Sequence, residues 1–216
     1  MKRITLFCGH FGSGKTNVAV NYALYLREEG KDVTIADLDI VNPYFRTKDS
    51  EGELRAAGVE VISLPFANTS TDLPAMPSQA YSLVQNTSRY AVLDIGGDDR
   101  GAYALGRFAP AILKENNYEN LFVVNFHRPL TRNAADSLEI LREIETAGGV
   151  PVTGIVNNSN LGEETTVGDI VSTAEAAQEL SRLAGIPVVL TTVRHDLTAH
   201  MSGEGLFGMK LQKKYW

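Results

Sequence analysis

A single cysteine in 216 residues leaves this chain no internal disulfide and no cysteine-cluster metal site. A reducing cytoplasm suits such a chain, and Cys8 itself reads as a small apolar core residue at a strand end. Long hydrophobic runs are also missing: nothing approaches the roughly 20 apolar residues that a membrane-spanning helix needs. The opening Met1-Lys2-Arg3 before residues 4–8 has the charge order of a signal peptide. Its apolar stretch is too short, however, and runs straight into a glycine loop instead of a cleavage site. Basic charge is scarce as well. Lys plus Arg number 20 against 26 Asp plus Glu, a formal charge of −6, which argues against broad attraction to nucleic acid or anionic lipid. There is no internal repeat and no low-complexity tract.

What is present is a chain 44% hydrophobic, enough for one core and short for two. We therefore read a single domain over 1–216, with 206–216 as a C-terminal tail. Short apolar runs alternate with amphipathic stretches. The pattern predicts strands at 4–8, 33–36, 59–64, 90–95, 121–125, 152–157 and 188–192, several of them continuous β-branched runs suited to burial on both faces. Helices are predicted at 15–29, 77–85, 101–114, 131–146 and 167–183, with Gly30 and Gly185 as stop signals. The fold class expected is α/β: three layers, a mostly parallel central sheet, and helices on both faces. Segment 66–78 is polar and punctuated by Pro74 and Pro77, hence loop. In the tail, Phe207, Leu211 and Tyr215 fall at helical spacing beside Lys210, Lys213 and Lys214. A membrane-surface helix would use that spacing, but Gly208 and the short length argue for a tail folded onto the body or a partner.

The most informative stretch is Gly9-His10-Phe11-Gly12-Ser13-Gly14-Lys15-Thr16, which satisfies G-x-x-x-x-G-K-[ST] directly after one predicted strand and before a predicted helix. Glycines let the backbone curl so that its N–H groups converge on phosphate oxygens. The start of the helix adds unpaired amides and the positive end of its dipole. Lys15 supplies an ammonium for β- and γ-phosphates, and the Thr16 hydroxyl is a hard oxygen ligand for Mg²⁺. A chance match in a chain of this size is on the order of one in a hundred, and the strand–loop–helix context lowers that further. A dinucleotide fingerprint on the same glycines with Asp37 as its acid would leave Lys15 and Thr16 unexplained and puts Asn17 where a third glycine belongs.

Acids cluster at the ends of two further strands. Asp37-Leu38-Asp39 alternates, so both carboxylates take the same side of the chain at the carboxyl edge of the sheet. Tyr90-Ala91-Val92-Leu93-Asp94 is an apolar strand ending in an acid, the pattern in which a carboxylate holds a Mg²⁺ shell. Gly96-Gly97-Asp98-Asp99 follows it, a loop able to approach a γ-phosphate and move when that phosphate leaves.

Together these pieces resemble the CobQ/CobB/MinD/ParA branch of P-loop ATPases. The resemblance is carried by 9–16, Asp37-Leu38-Asp39, Asp94-Ile95-Gly96-Gly97 and the strand around 152–158, and it extends from Ile4 to about Gly205. It implies ATP with Mg²⁺ bound at the carboxyl edge of the sheet, against residues 9–17 (Gly9, His10, Phe11, Gly12, Ser13, Gly14, Lys15, Thr16, Asn17). Lys15 and Asp39 would be catalytic, with Asp39 orienting the attacking water, and Asp37 would be a switch-region acid. Thr16, Asp39 and Asp94 would hold or surround the metal. Asn157 would face the adenine, as would the loop at Val193 and Arg194. One departure stands out: members that sandwich ATP between two copies carry lysine after the first glycine, where this chain has His10, a poor substitute for a fixed cation.

The function implied is an ATPase of low intrinsic rate that switches a partner protein or complex, with a homodimer among the arrangements left open. A kinase or ligase acting on a small metabolite, or a non-hydrolysing nucleotide-binding regulator, are the alternatives. The cysteine pair of a nickel-handling relative is absent. His127, His195 and His200 follow different strands and read as scattered residues. Arg100, Arg107, Arg128 and Arg132 lie near the predicted active edge, and Arg128 is the first candidate for γ-phosphate charge or a second substrate.

Overall fold

The computed structural model describes residues 1–38, 50–63, 81–97 and 104–212. Eight strands form one sheet: β1 (Ile4–Cys8), β2 (Val33–Leu38), β3 (Glu60–Ser63), β4 (Tyr90–Ile95), β5 (Tyr118–Val124), β6 (Gly154–Asn157), β7 (Val188–Arg194) and β8 (Leu206–Met209). Their spatial order is β3-β2-β4-β1-β5-β6-β7-β8, and every neighbouring pair is parallel. Parallel neighbours need crossovers, and the helices supply them: α1 (Lys15–Glu28), α2 (Glu51–Ala56), α3 (Ser82–Gln85), α4 (Ala109–Glu115), α5 (Ala134–Gly148), α6 (Val167–Val171) and α7 (Ala174–Ala184).

Two cores fill the two faces of the sheet. On one, Phe7, Ile35, Val92, Val123 and Val156 pack with α1 and with Leu54 of α2. On the other, Leu6, Cys8, Leu93, Phe122 and Ile155 pack with Leu83 of α3, Ile112 of α4, Leu141 and Ile144 of α5 and Leu180 of α7. This is the expected three-layer α/β architecture. All five residues of β1 are buried, which is why its sequence shows no polar alternation.

Helix ends depart from the periodicity where capping chemistry intervenes. The helix expected over 131–146 begins at Ala134, because the Asn133 side chain accepts the Asp136 N–H at 2.9 Å and caps there. The stretch expected over 167–183 divides in two. Thr173 Oγ1 donates to Ile170 O at 2.8 Å and accepts from Asn157 Nδ2 at 3.1 Å, closing α6 and seating the turn against β6. The helix expected over 101–114 takes regular form from Ala109, with Pro110 in its first turn, where a missing N–H leaves no bond unmade. The 66–78 loop and Arg100 lie outside the described residues.

The tail lies on the body, and at 206–209 it does so as a strand paired to β7 from Thr191↔Leu206 to Arg194↔Met209. Helical spacing lost to the unpaired edge of β7, which offers a ladder of hydrogen bonds that a short glycine-containing helix cannot match. Phe207 then packs against α1, its ring centroid 6.1 Å from Tyr22 and 5.9 Å from Tyr25. Residues 210–212 continue along α1: Asn21 exchanges hydrogen bonds with the Lys210 backbone at 2.9 and 2.9 Å, and Gln212 N donates to Asn17 Oδ1 at 3.1 Å. Among the described residues no helix is long and apolar enough to cross a membrane.

Cys8 is fully buried. Burial first, and the Glu145 charge second, push its thiol from an ordinary 9.0 up to about 12. The folded state therefore holds this proton where the unfolded state would release it, so stability is intact below pH 9 and drains as pH rises towards about 12. We expect no thiol labelling at pH 8 without denaturant and complete labelling in urea; rapid labelling of the folded protein would contradict the buried placement.

Candidate functional site

The loop from Gly9 to Gly14 joins β1 to α1 at the carboxyl edge of the sheet. Gly14 takes φ 83° at the N-cap, no side chain among the described residues caps the helix, and its first turn holds no acid, so the positive end of α1 is directed into the loop. Ser13 N donates to His10 O at 3.1 Å, tightening the curl. The outward carbonyls are held from behind. Asn158 Nδ2 donates to Ser13 O at 2.6 Å, and Arg128 Nε donates to Gly12 O at 3.1 Å. Asn158 is itself fixed, its Oδ1 accepting from Thr192 Oγ1 at 2.5 Å. With the Gly12 and Ser13 carbonyls tied, the curl is held at the positive end of α1, a place suited to an anion.

Gly97, three residues past Asp94, touches the same loop. A Cβ there would lie 2.5 Å from Gly9 O and 2.8 Å from Phe11 N, so only glycine lets the chain after β4 come this close. Asp37 and Asp94 are register partners on β2 and β4, and Asp94 is level with Phe7 on β1. In a parallel sheet that places both carboxylates on the Phe7 face, the face α1 covers. Lys15, Thr16, Asp37 and Asp94 are 3%, 4%, 8% and 0% exposed. The Thr16 hydroxyl and two carboxylates are the hard oxygen donors that fit Mg²⁺, which takes one or two carboxylates and completes its shell with water and phosphate. Among the described residues there is no group of three or more His, Cys, Asp or Glu side chains suited to hold a metal, and Asp39 lies outside them.

A cavity of about 530 Å³ opens from the loop, within the range of ligand pockets. Phe11, Gly12, Gly14, Lys15, Thr16 and Asn17 of the loop and α1 line it together with Arg128, residues 160–163, Leu211 and Gln212. Part of this lining differs from the sequence reading. Asn157 is 2% exposed, and its side chain bonds Thr173 and accepts from Ser159 N–H and Oγ, so it builds the turn after β6. Val193 is 1% exposed. Arg194 pairs with Asp196 and donates to the Glu163 carbonyl, acting on the cavity wall through that carbonyl. His10 turns its Nδ1 to Phe11 O at 2.9 Å and does not line the cavity. The Ser13 hydroxyl is buried and has no hydrogen-bond partner among the described residues. Asn158 and Asn160 were signalled only by the run Asn157-Asn158-Ser159-Asn160; nothing local to Leu211 and Gln212 marks them.

A family model described as the CobQ/CobB/MinD/ParA nucleotide binding domain matches residues 4–203. The chain belongs to this family. It is a P-loop nucleotide-binding protein, and solved structures share its fold. Cell division protein FtsY of Thermotoga maritima is 20% identical over 90% of this chain and 62% of that one, with a TM-score of 0.62. The signal recognition particle 54 kDa protein of Aeropyrum pernix K1, in complex with GDP, is 17% identical over 88% and 41%, with a TM-score of 0.56. A nucleotide-binding protein of Archaeoglobus fulgidus, in complex with ADP, is 18% identical over 92% and 84%, with a TM-score of 0.50. At these identities the likeness is one of fold. The chain spans about six tenths of the length of three FtsY structures it matches. Among curated proteins no sequence matches it.

Gly97→Ala should force the Gly9–Phe11 backbone aside at a cost of about 1–3 kcal/mol, read as a lower urea midpoint together with weakened nucleotide binding. Wild-type stability and affinity in this variant would mean that the two segments do not meet.

Proposed function

We propose that the chain binds ATP with Mg²⁺ in this cavity and acts as a nucleotide-dependent switch on a partner protein. The observation that carries the reading is the loop itself, its carbonyls pinned from β6 and the β5 end, with Lys15 and Thr16 buried beneath it on the same face as Asp37 and Asp94. Lys15 and the loop amides would take the β- and γ-phosphates. Thr16 and Asp94 would hold Mg²⁺, which when bound offsets charge on those phosphates. Asp39 would orient water for in-line attack on the γ-phosphorus, the water oxygen bonding as the bond to ADP breaks. Leu161 and Leu211 offer apolar contact to a base, and the Asn160 and Gln212 amides offer it neutral hydrogen bonds.

The contact of Gly97 with the loop backbone supports a switch, since the chain after β4 would feel what the loop holds. Phe11, Leu130 and Leu161 are 59%, 58% and 45% exposed; two of them line the cavity and support contact with a protein partner, a second copy included. The lone buried thiol fits a cytoplasmic setting. A second reading, a regulator that binds without turnover, is favoured by one observation: His10 is bonded to its own loop at Phe11 O and is not among the residues lining the cavity.

Calorimetric titration with ATP, GTP and ADP, with and without Mg²⁺, tests the site. We expect Mg²⁺-dependent adenine-nucleotide binding that Lys15→Ala largely abolishes, and equal binding by both proteins would sink the assignment. Asp39→Ala should retain binding and lose phosphate release; unchanged turnover would remove Asp39 from the mechanism.

A further inference from the structure

We propose that Arg128 supplies, from within the same chain, the second cation on the terminal phosphate of the bound nucleotide. The inference rests on the nucleotide reading above and names a residue for the charge that position 10 does not provide.

Its backbone is fixed before any ligand arrives. Arg128 N donates to Asn125 O at 3.1 Å, Thr131 N donates to Arg128 O at 3.2 Å, and Thr131 Oγ1 closes the turn onto Asn125 O at 2.6 Å. Asn125 is tied in turn to Asn160 O at 3.0 Å. From this turn the arginine stem crosses the loop: Cδ and Nε both lie 3.9 Å from where a Gly12 Cβ would sit, and Nε donates to Gly12 O.

The terminal nitrogens are a different matter. Arg3, Arg27, Arg55, Arg89, Arg142, Arg182 and Arg194 are each ion-paired. Arg128 lines the cavity beside Lys15, and among the described residues its two terminal nitrogens have neither a carboxylate nor a hydrogen-bond partner. A guanidinium held at Nε keeps its other donors in a rigid fork, the geometry that meets phosphate oxygens bidentately. Among the described residues that line the cavity, Lys15 and Arg128 carry positive charge, and Arg128 is held against the loop at Gly12 O, so the cation sits beside the place where the phosphate tail would lie. His10, bonded to its own loop, leaves that place to Arg128.

A brace for the loop and a contact to the terminal phosphate make different demands. Loss of a brace weakens every nucleotide alike; loss of the contact is felt only by a triphosphate. The experiment is calorimetric titration of wild type, Arg128→Ala and Arg128→Lys with ADP and with a non-hydrolysable ATP analogue, in Mg²⁺. Arg128 is exposed, and circular dichroism checks that the variants fold. Loss of the tether to Gly12 O predicts some weakening of both nucleotides in Arg128→Ala, and loss of the charge-assisted bond a further fall of about ten- to a hundredfold for the triphosphate alone, with an intermediate value for Arg128→Lys. Equal weakening of both nucleotides, or of neither, would overturn the proposal. Failure of the wild type to bind either nucleotide would instead overturn the nucleotide reading beneath it.

Discussion

The site depends on a flexible loop being held by its carbonyl oxygens. Glycines at 9, 12 and 14 let the chain curl, but the same freedom would let it uncurl. Asn158 removes that freedom. Asn158 is 1% exposed, and leaving either end of its amide unpaired in that environment would be costly; the bonds to Ser13 O and from Thr192 Oγ1 satisfy both ends. Arg128 adds a second tether one residue earlier. The loop then keeps its curl without a ligand being needed to set it, which is the sense in which the loop is preorganised.

Sheet order is what brings the holders to the held. With β1 between β4 and β5, the carboxyl ends of four strands meet around one loop: Asp37 from β2 and Asp94 from β4, then Arg128 after β5 and Asn158 after β6. Register matters as much as order. A slip of one residue between β1 and β4 would move Asp94 to the opposite face, away from α1 and the loop. The observed pairing of Phe7 with Asp94 and of Asp37 with Asp94 prevents it, and the apolar residues on either side of those acids secure the pairing, since each would be exposed or overpacked by a shift.

The far edge of the sheet serves the same cavity by a longer route. β8 adds to β7 and sets Phe207 among the tyrosines of α1. The chain beyond is stapled to Asn21 and Asn17, one helical turn apart, and Gln212 Nε2 reaches Ser50 Oγ at 2.8 Å, just before α2. Leu211 and Gln212 are thereby held as a wall of the cavity.

The sequence by itself determined the strand–loop–helix at 4–28, the acids at 37 and 94, and the alternation of elements that becomes a parallel sheet. Each of these is written in residues a few positions apart, where periodicity, glycine placement and strand pleat act directly on the local backbone. Only the tertiary structure decided which side chains serve the loop. Asn158 meets Ser13 across 145 residues of chain, Arg128 meets Gly12 across 116, and Gln212 meets Asn17 across 195. It also decided that Asn157 is consumed by its own turn while its neighbour faces the loop, and that 206–209 is a strand. No local pattern carries such information, because an asparagine at a strand end or a phenylalanine in a short tail takes its role from the partner that packing happens to bring within reach.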